Sequence, residues 1–175
     1  GSRRASVLAF RRRANPIQSV IAPMQINLST QLPCSLTEVV AQVRTPRLLR
    51  QVASPLLSFS PLTPSEFPST WSEGTYWVRL KLFGLLPIGR QAIVISYPQA
   101  GNALAFMLRD NGYSPLISKW DHLITAQEVS GGTLYRDRVT IEAGILTPAV
   151  WLFARLFYAH RQRRWATLAA NGFNY

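Results

Sequence analysis

The chain has 175 residues, 47% of them hydrophobic, enough for one domain with a substantial core and too few for two ordinary ones. Its formal charge of +11, from 19 Lys and Arg against 8 Asp and Glu, raises nucleic acid or an anionic membrane surface as partners. Five of the arginines (Arg3, Arg4, Arg11, Arg12 and Arg13) sit in the leading stretch GSRRASVLAFRRRANP, ahead of any periodic segment. The remainder is only moderately basic, and nucleic-acid binding is disfavoured. Residues 1–20 read as a basic flexible arm, in which Gly1 and Ser2 look like a protease-cleavage remnant and RRASV resembles a kinase-recognition tag. Residues 21–175 read as the single folded domain.

The lone cysteine, Cys34, excludes an internal disulfide and a multi-cysteine metal site, and reads as a small packing residue beside Pro33. With two histidines, no metal-ligand cluster, no Gly-rich phosphate loop and no GxSxG elbow, neither metal nor cofactor is expected. The longest apolar run, LTPAVWLFA, is far short of a bilayer span, and a soluble cytoplasmic protein is expected.

In chain order, QINLSTQLP alternates as a half-buried strand, with Ile26, Leu28 and Thr30 on one side. SLTEVVAQV carries a capping-box signature, Ser35 with Glu38 three residues on, and predicts a helix that Pro46 ends. Thr45 and Pro46 suit the cap and first turn of a second short helix, PRLLRQVA. LLSF predicts a strand, and SPLTPSEFPSTWSEG, rich in Pro and Ser, a loop.

TYWVRLKLF places Tyr76, Val78, Leu80 and Leu82 on one face of a strand, with Trp77, Arg79 and Lys81 on the other. GLLPIG then reads as a turn, or an apolar tip that touches membrane or another subunit. RQAIVISY and ALAFMLRD are further strands. Trp77, with Trp71, is expected to border a loop at the cavity or a partner surface.

SKWDHLITAQEV and GTLYRDRVTIEAG are the last two strands, joined by a two-residue turn at Ser130 and Gly131. Alternation sends Trp120, His122, Ile124 and Ala126 inward from the first, and Tyr135, Asp137, Val139 and Ile141 inward from the second. That register sets Asp137 opposite Ile124 and diagonal to His122. Finally, Thr147 and Pro148 open a helix of about 23 residues, stopped by Asn171 and Gly172. Its first half, AVWLFARLFYA, is apolar nearly all round and is expected to be buried; Arg161, Arg163 and Arg164 are expected to face water, with His160 at the surface beside them. The connections are too short for crossover helices, so the strands should form a curved antiparallel sheet with the long helix across its concave side.

This order, together with WDH (Trp120 to His122), the Gly-Gly turn with Gly132 and Thr133, TLYRDRVTIEAG with Asp137 and Gly144, and the helix ending ARLFYAHRQRRWATLAAN, resembles the helix-grip superfamily over roughly residues 24 to 171. That group includes START-like lipid-transfer domains, the birch-pollen allergen family and the polyketide cyclase/dehydrase proteins. The resemblance implies an α+β fold, a curved antiparallel sheet wrapped around a long C-terminal helix with two short helices after the first strand, and an apolar cavity between sheet and helix.

The function expected is binding or transport of a small hydrophobic ligand, a lipid, isoprenoid or aromatic polyketide-like molecule. Its candidate lining is Trp120, His122, Ile124, Tyr135, Asp137, Val139, Tyr76, Val78, Leu80, Phe153 and Phe157. His122 and Asp137 either satisfy each other and fix the sheet, anchor a ligand's polar end, or act as an acid–base pair. Two alternatives stay open: a cyclase or dehydratase using His122, and an interaction protein that docks acidic surfaces through its arginines. Peripheral membrane contact fits both the arm and the apolar tip.

Overall fold

The computed structural model describes residues 21–102 and 105–175. The arm expected over residues 1–20, and Ala103 and Leu104 of the ALAFMLRD strand, lie outside the described residues. The elements are β1 (Met24–Leu32), α1 (Leu36–Val43), α2 (Pro46–Ala53), β2 (Leu57–Thr63), β3 (Gly74–Leu82), β4 (Leu86–Ser96), β5 (Ala105–Gly112), β6 (Lys119–Val129), β7 (Gly132–Glu142), a 3-10 turn (Gly144–Leu146) and α3 (Thr147–Ala170).

The seven strands form one antiparallel sheet in the order β1-β7-β6-β5-β4-β3-β2. The α1–α2 corner carries the chain from one sheet edge, β1, to the other, β2. Both caps form as the sequence predicts. The Ser35 hydroxyl accepts from the Glu38 amide while the Glu38 carboxylate accepts from the Ser35 amide, and Thr45 caps α2 with Pro46 in its first turn. Helix α3 lies against β1, β7 and α2. Its N-terminal half packs Ala154, Phe157 and Tyr158 on Ile26, Trp120, Val139 and Ile141, and its C-terminal half packs Trp165, Leu168 and Ala169 into a second cluster with α1, α2 and β3–β6.

Several expectations need correction. Ser60 to Thr63 is strand, not loop: β2 is the outermost strand, where Pro61 loses no ladder donor that matters and sits beside a register shift against β3. The turn between β3 and β4 is confined to Phe83–Leu85, and Leu86 to Gly89 already belong to β4. The first half of α3 is not buried all round, because Leu152 and Leu156 face solvent. Trp71 is not at a loop border but in the core, stacked edge-on to Phe67 and Tyr76, whereas Trp77 packs on Tyr113 at the outer face. His160 is half-buried, its Nε2 2.9 Å from the Ser54 carbonyl. Arg164 donates to the Gln51 carbonyl, Arg163 is exposed, and Arg161 is buried.

Candidate ligand-binding site

The β6–β7 register is the expected one: Val129 pairs with Gly132 across a two-residue turn, Ile124 faces Asp137 and His122 faces Val139. Period-two alternation therefore carries His122 and Asp137 to the helix side of the sheet, 3% and 1% exposed. There His122 Nε2 and Asp137 Oδ1 lie 2.7 Å apart. The same oxygen accepts from the Tyr135 hydroxyl at 3.0 Å, and Oδ2 accepts from Gln162 Nε2 on α3 at 3.0 Å. Both carboxylate oxygens are thus engaged. Burial would raise the Asp137 carboxyl, but the His122 hydrogen bond, the positive charge of Arg161 and the Gln162 amide hold it below the ordinary range. Burial also lowers His122, outweighing the attraction of Asp137. The imidazole is therefore neutral near pH 7, and Nε2 carries the proton it donates to the carboxylate.

Arg161 completes the cluster from α3. It is 5% exposed, its Nη2 donates to the Tyr135 hydroxyl at 3.2 Å, and its guanidinium lies 5.5 Å over the Tyr158 ring. Burial opposes its charge, but Tyr135, Asp137 and Tyr158 around it keep it cationic. Tyr158 accepts from Trp120 Nε1 at 3.2 Å and packs 4.8 Å from the His122 ring. Asp110 comes from β5 where the β4–β5 ladder is short, pairing only Ile95 with Asp110 and Ser96 with Arg109. Its Oδ1 accepts from the Val94 amide at 2.8 Å, where the ladder gives that amide no strand carbonyl. One side of Asp110 faces a cavity, yet it lies deep enough that burial pushes its carboxyl up to about 7.

That cavity has a volume of about 350 Å³ and lies between the sheet and α3. Its walls are mainly apolar, with Leu57, Phe59, Leu80, Ile93, Phe153 and Phe157 prominent. Its polar lining includes His122, Asp110 and Arg161, which also bound a second, inner void of about 40 Å³. Of its lining residues, Ile88, Leu146 and Ala149 are exposed, so it opens between the start of β4 and the start of α3.

Among the candidates from sequence, Trp120, His122, Leu80, Phe153 and Phe157 line this cavity, and Ile124 lines the inner void. Tyr135, Val139 and Val78 do not; they are fully buried packing residues. Asp137 stands behind His122, and Tyr76 packs on Trp71 with its hydroxyl on the Ser72 backbone. Arg161, Asp110 and Gln162 were not anticipated at this site. Periodicity carried a signal for Arg161, because Ala154, Phe157, Tyr158, Trp165 and Leu168 make a buried stripe at helical spacing and position 161 falls on it. Asp110 shares the face of Leu108 by strand alternation.

Cys34 is half-buried, and burial together with Glu38 pushes its thiol up to about 11, which keeps it protonated and unreactive. Among the described residues there is no cluster of three or more metal-ligating side chains, and no helix long and apolar enough to cross a membrane.

The sequence matches no protein-family model and no curated protein. Solved structures share the fold. Protein CV1439 from Chromobacterium violaceum superposes with a TM-score of 0.57 at 16% identity, over 83% of this chain and 96% of that one. TTHA0849 from Thermus thermophilus gives 0.57 at 10% identity over 85% and 99%. Ara h 8.0201 gives 0.54 at 9% identity over 86% and 99%. At such identities the likeness establishes the helix-grip fold and nothing finer.

Proposed function

We propose that this protein binds a small hydrophobic molecule in the cavity between sheet and α3, with His122, Asp110 and Arg161 meeting its polar end. The observation that carries this reading is the combination of an open, mainly apolar cavity of about 350 Å³ with a few polar groups on its wall. That is the usual make-up of a small-molecule site, where apolar burial supplies affinity and polar groups supply orientation. The neighbouring structures support it only through the shared fold.

Native mass spectrometry of protein purified without detergent, followed by solvent extraction, tests the reading. A stoichiometric apolar adduct is expected, and replacing Leu80 or Phe157 by Trp to fill the cavity should remove it. A cavity that takes up no apolar molecule, either from the cell or when offered a hydrophobic probe, overturns the proposal.

The mouth of the cavity suggests where the ligand comes from. Phe83, Leu85, Leu86 and Ile88 of the β3–β4 tip and Ile145 and Leu146 before α3 are all exposed. The elements bearing them, with α2 and β2, carry no acid, only Arg47, Arg50, Arg79, Lys81, Arg90 and the arginines of α3. An apolar rim within a purely basic surround fits loading at an anionic lipid surface.

A second reading rests on the His122–Asp137 pair. A neutral imidazole on the cavity wall, oriented by a carboxylate, is arranged to take a proton. It is distinguished by turnover that His122→Ala abolishes while affinity persists.

A further inference from the structure

We infer that the ligand carries a carboxylate, or an equivalent oxyanion, that seats on Arg161. This rests on the cavity-binding reading above and specifies its ligand class. The first observation is an unfilled donor: Arg161 Nε is buried and has no hydrogen-bond partner. Guanidinium N–H groups buried without acceptors are rare and costly, and in a native site they mark a missing ligand or water.

The second observation is that no carboxylate among the described residues is directly ion-paired with its guanidinium. Among the described residues the ion pairs are Arg109–Asp121, Lys119–Glu142 and His122–Asp137; none involves Arg161. Asp137 reaches the guanidinium only through the Tyr135 hydroxyl, and its own oxygens are taken by His122, Tyr135 and Gln162. The third observation is position, since Arg161 lines both the main cavity and the inner void beside His122 and Asp110. Arginine's planar fork matches a carboxylate in two parallel bonds, which a hydroxyl or ester cannot reproduce.

Charge permits this. With His122 neutral, Arg161 and Asp137 balance, and an arriving anion adds one negative charge. Asp110 adds no second negative charge as long as it stays protonated. It lies beside His122 from β6 and Arg161 and Tyr158 from α3, with the charge of Asp121 acting on it from the outer face of the sheet, and in its neutral form it can donate to the ligand rather than repel it.

The test uses the full chain and matched probes, dodecanoate and dodecanol, with binding followed by quenching of Trp120 in the cavity wall and by calorimetry. Dodecanoate should bind about tenfold to a hundredfold more tightly than dodecanol, as expected for a charge-assisted hydrogen-bonded pair. In Arg161→Met that preference should vanish, and Arg161→Lys should keep part of it. Equal affinity of the wild-type protein for acid and alcohol would overturn the carboxylate inference and leave the cavity reading standing. Failure of both probes to bind would overturn both. The wild-type comparison decides the matter even if the Met variant does not fold.

Discussion

Asp137 is the residue on which the inner wall depends. Its two oxygens accept from His122, Tyr135 and Gln162, three donors from β6, β7 and α3. Asp137→Ala would strand all three and leave Arg161 as a buried charge without its compensating anion. A loss of about 3 kcal/mol or more in urea unfolding is expected.

Asp110 acts in the opposite sense with pH. Its folded pKa of about 7 lies above the unfolded value near 3.8, so between those limits the folded state holds a proton that the unfolded state has lost. Stability contributed by Asp110 therefore falls as pH rises through that window, by at most about 1.4 kcal/mol per pH unit and less where cavity water reaches the carboxyl. His122, lowered by burial, acts the other way: the unfolded state takes up a proton first, so its contribution is lost as pH drops below about 6.5. In Asp110→Asn the first slope disappears. The stability difference between the two proteins, followed by urea unfolding from pH 4 to 8, should favour the variant increasingly up to about pH 7 and then level off. A constant difference would place Asp110 in water.

Among the elements, α1 and the β6–β7 hairpin are fixed by local chemistry that single substitutions can probe. Ser35→Ala removes the capping box and should cost about 1 kcal/mol in thermal or urea unfolding. Gly132 opens β7 at a φ of +139°, and an added Cβ there would stand 2.1 Å from the Leu32 carbonyl oxygen. Neither a side chain nor the backbone of β1 can yield cheaply, since Leu32 is paired with Thr133 across the ladder. Gly132→Ala should therefore destabilise by about 2 kcal/mol or more, well beyond the ordinary cost of a surface change.

Viewed as a whole, the molecule separates its charges. All the acids among the described residues sit on α1, β5, β6, β7 or the loop between β2 and β3, while the elements around the cavity mouth bear only cations. Basic groups framing exposed Leu85, Leu86 and Ile88 should hold the protein on vesicles containing phosphatidylglycerol, in a salt-sensitive manner. In a sedimentation assay, Leu85→Glu with Leu86→Glu should weaken that binding several-fold with little change in melting temperature. Unchanged binding would assign vesicle attachment to another basic surface of the chain.

The sequence by itself determined the caps at Ser35 and Thr45, the hairpin register that sets Ile124 against Asp137, and the inward sets on β6 and β7. These follow from side-chain chemistry and a period-two geometry that act within a few residues. The helix-grip order was legible too, because short connections leave antiparallel neighbours as the ready solution. What only the tertiary structure decided lies where distant elements meet. Arg161 belongs to a run of arginines that locally reads as a wet helix end, yet the helix axis turns it onto the buried stripe against Tyr135. Alternation sends Asp110 inward, but only the short β4–β5 ladder leaves the Val94 amide for its carboxylate, and Pro61 is tolerated because β2 has no outer neighbour among the described residues. Tyr135, Val139 and Val78 pack while Trp120, His122 and Leu80 line a cavity, although all point to the same side of the sheet. Alternation assigns a face, but the path of α3 across that face decides which part of it is filled.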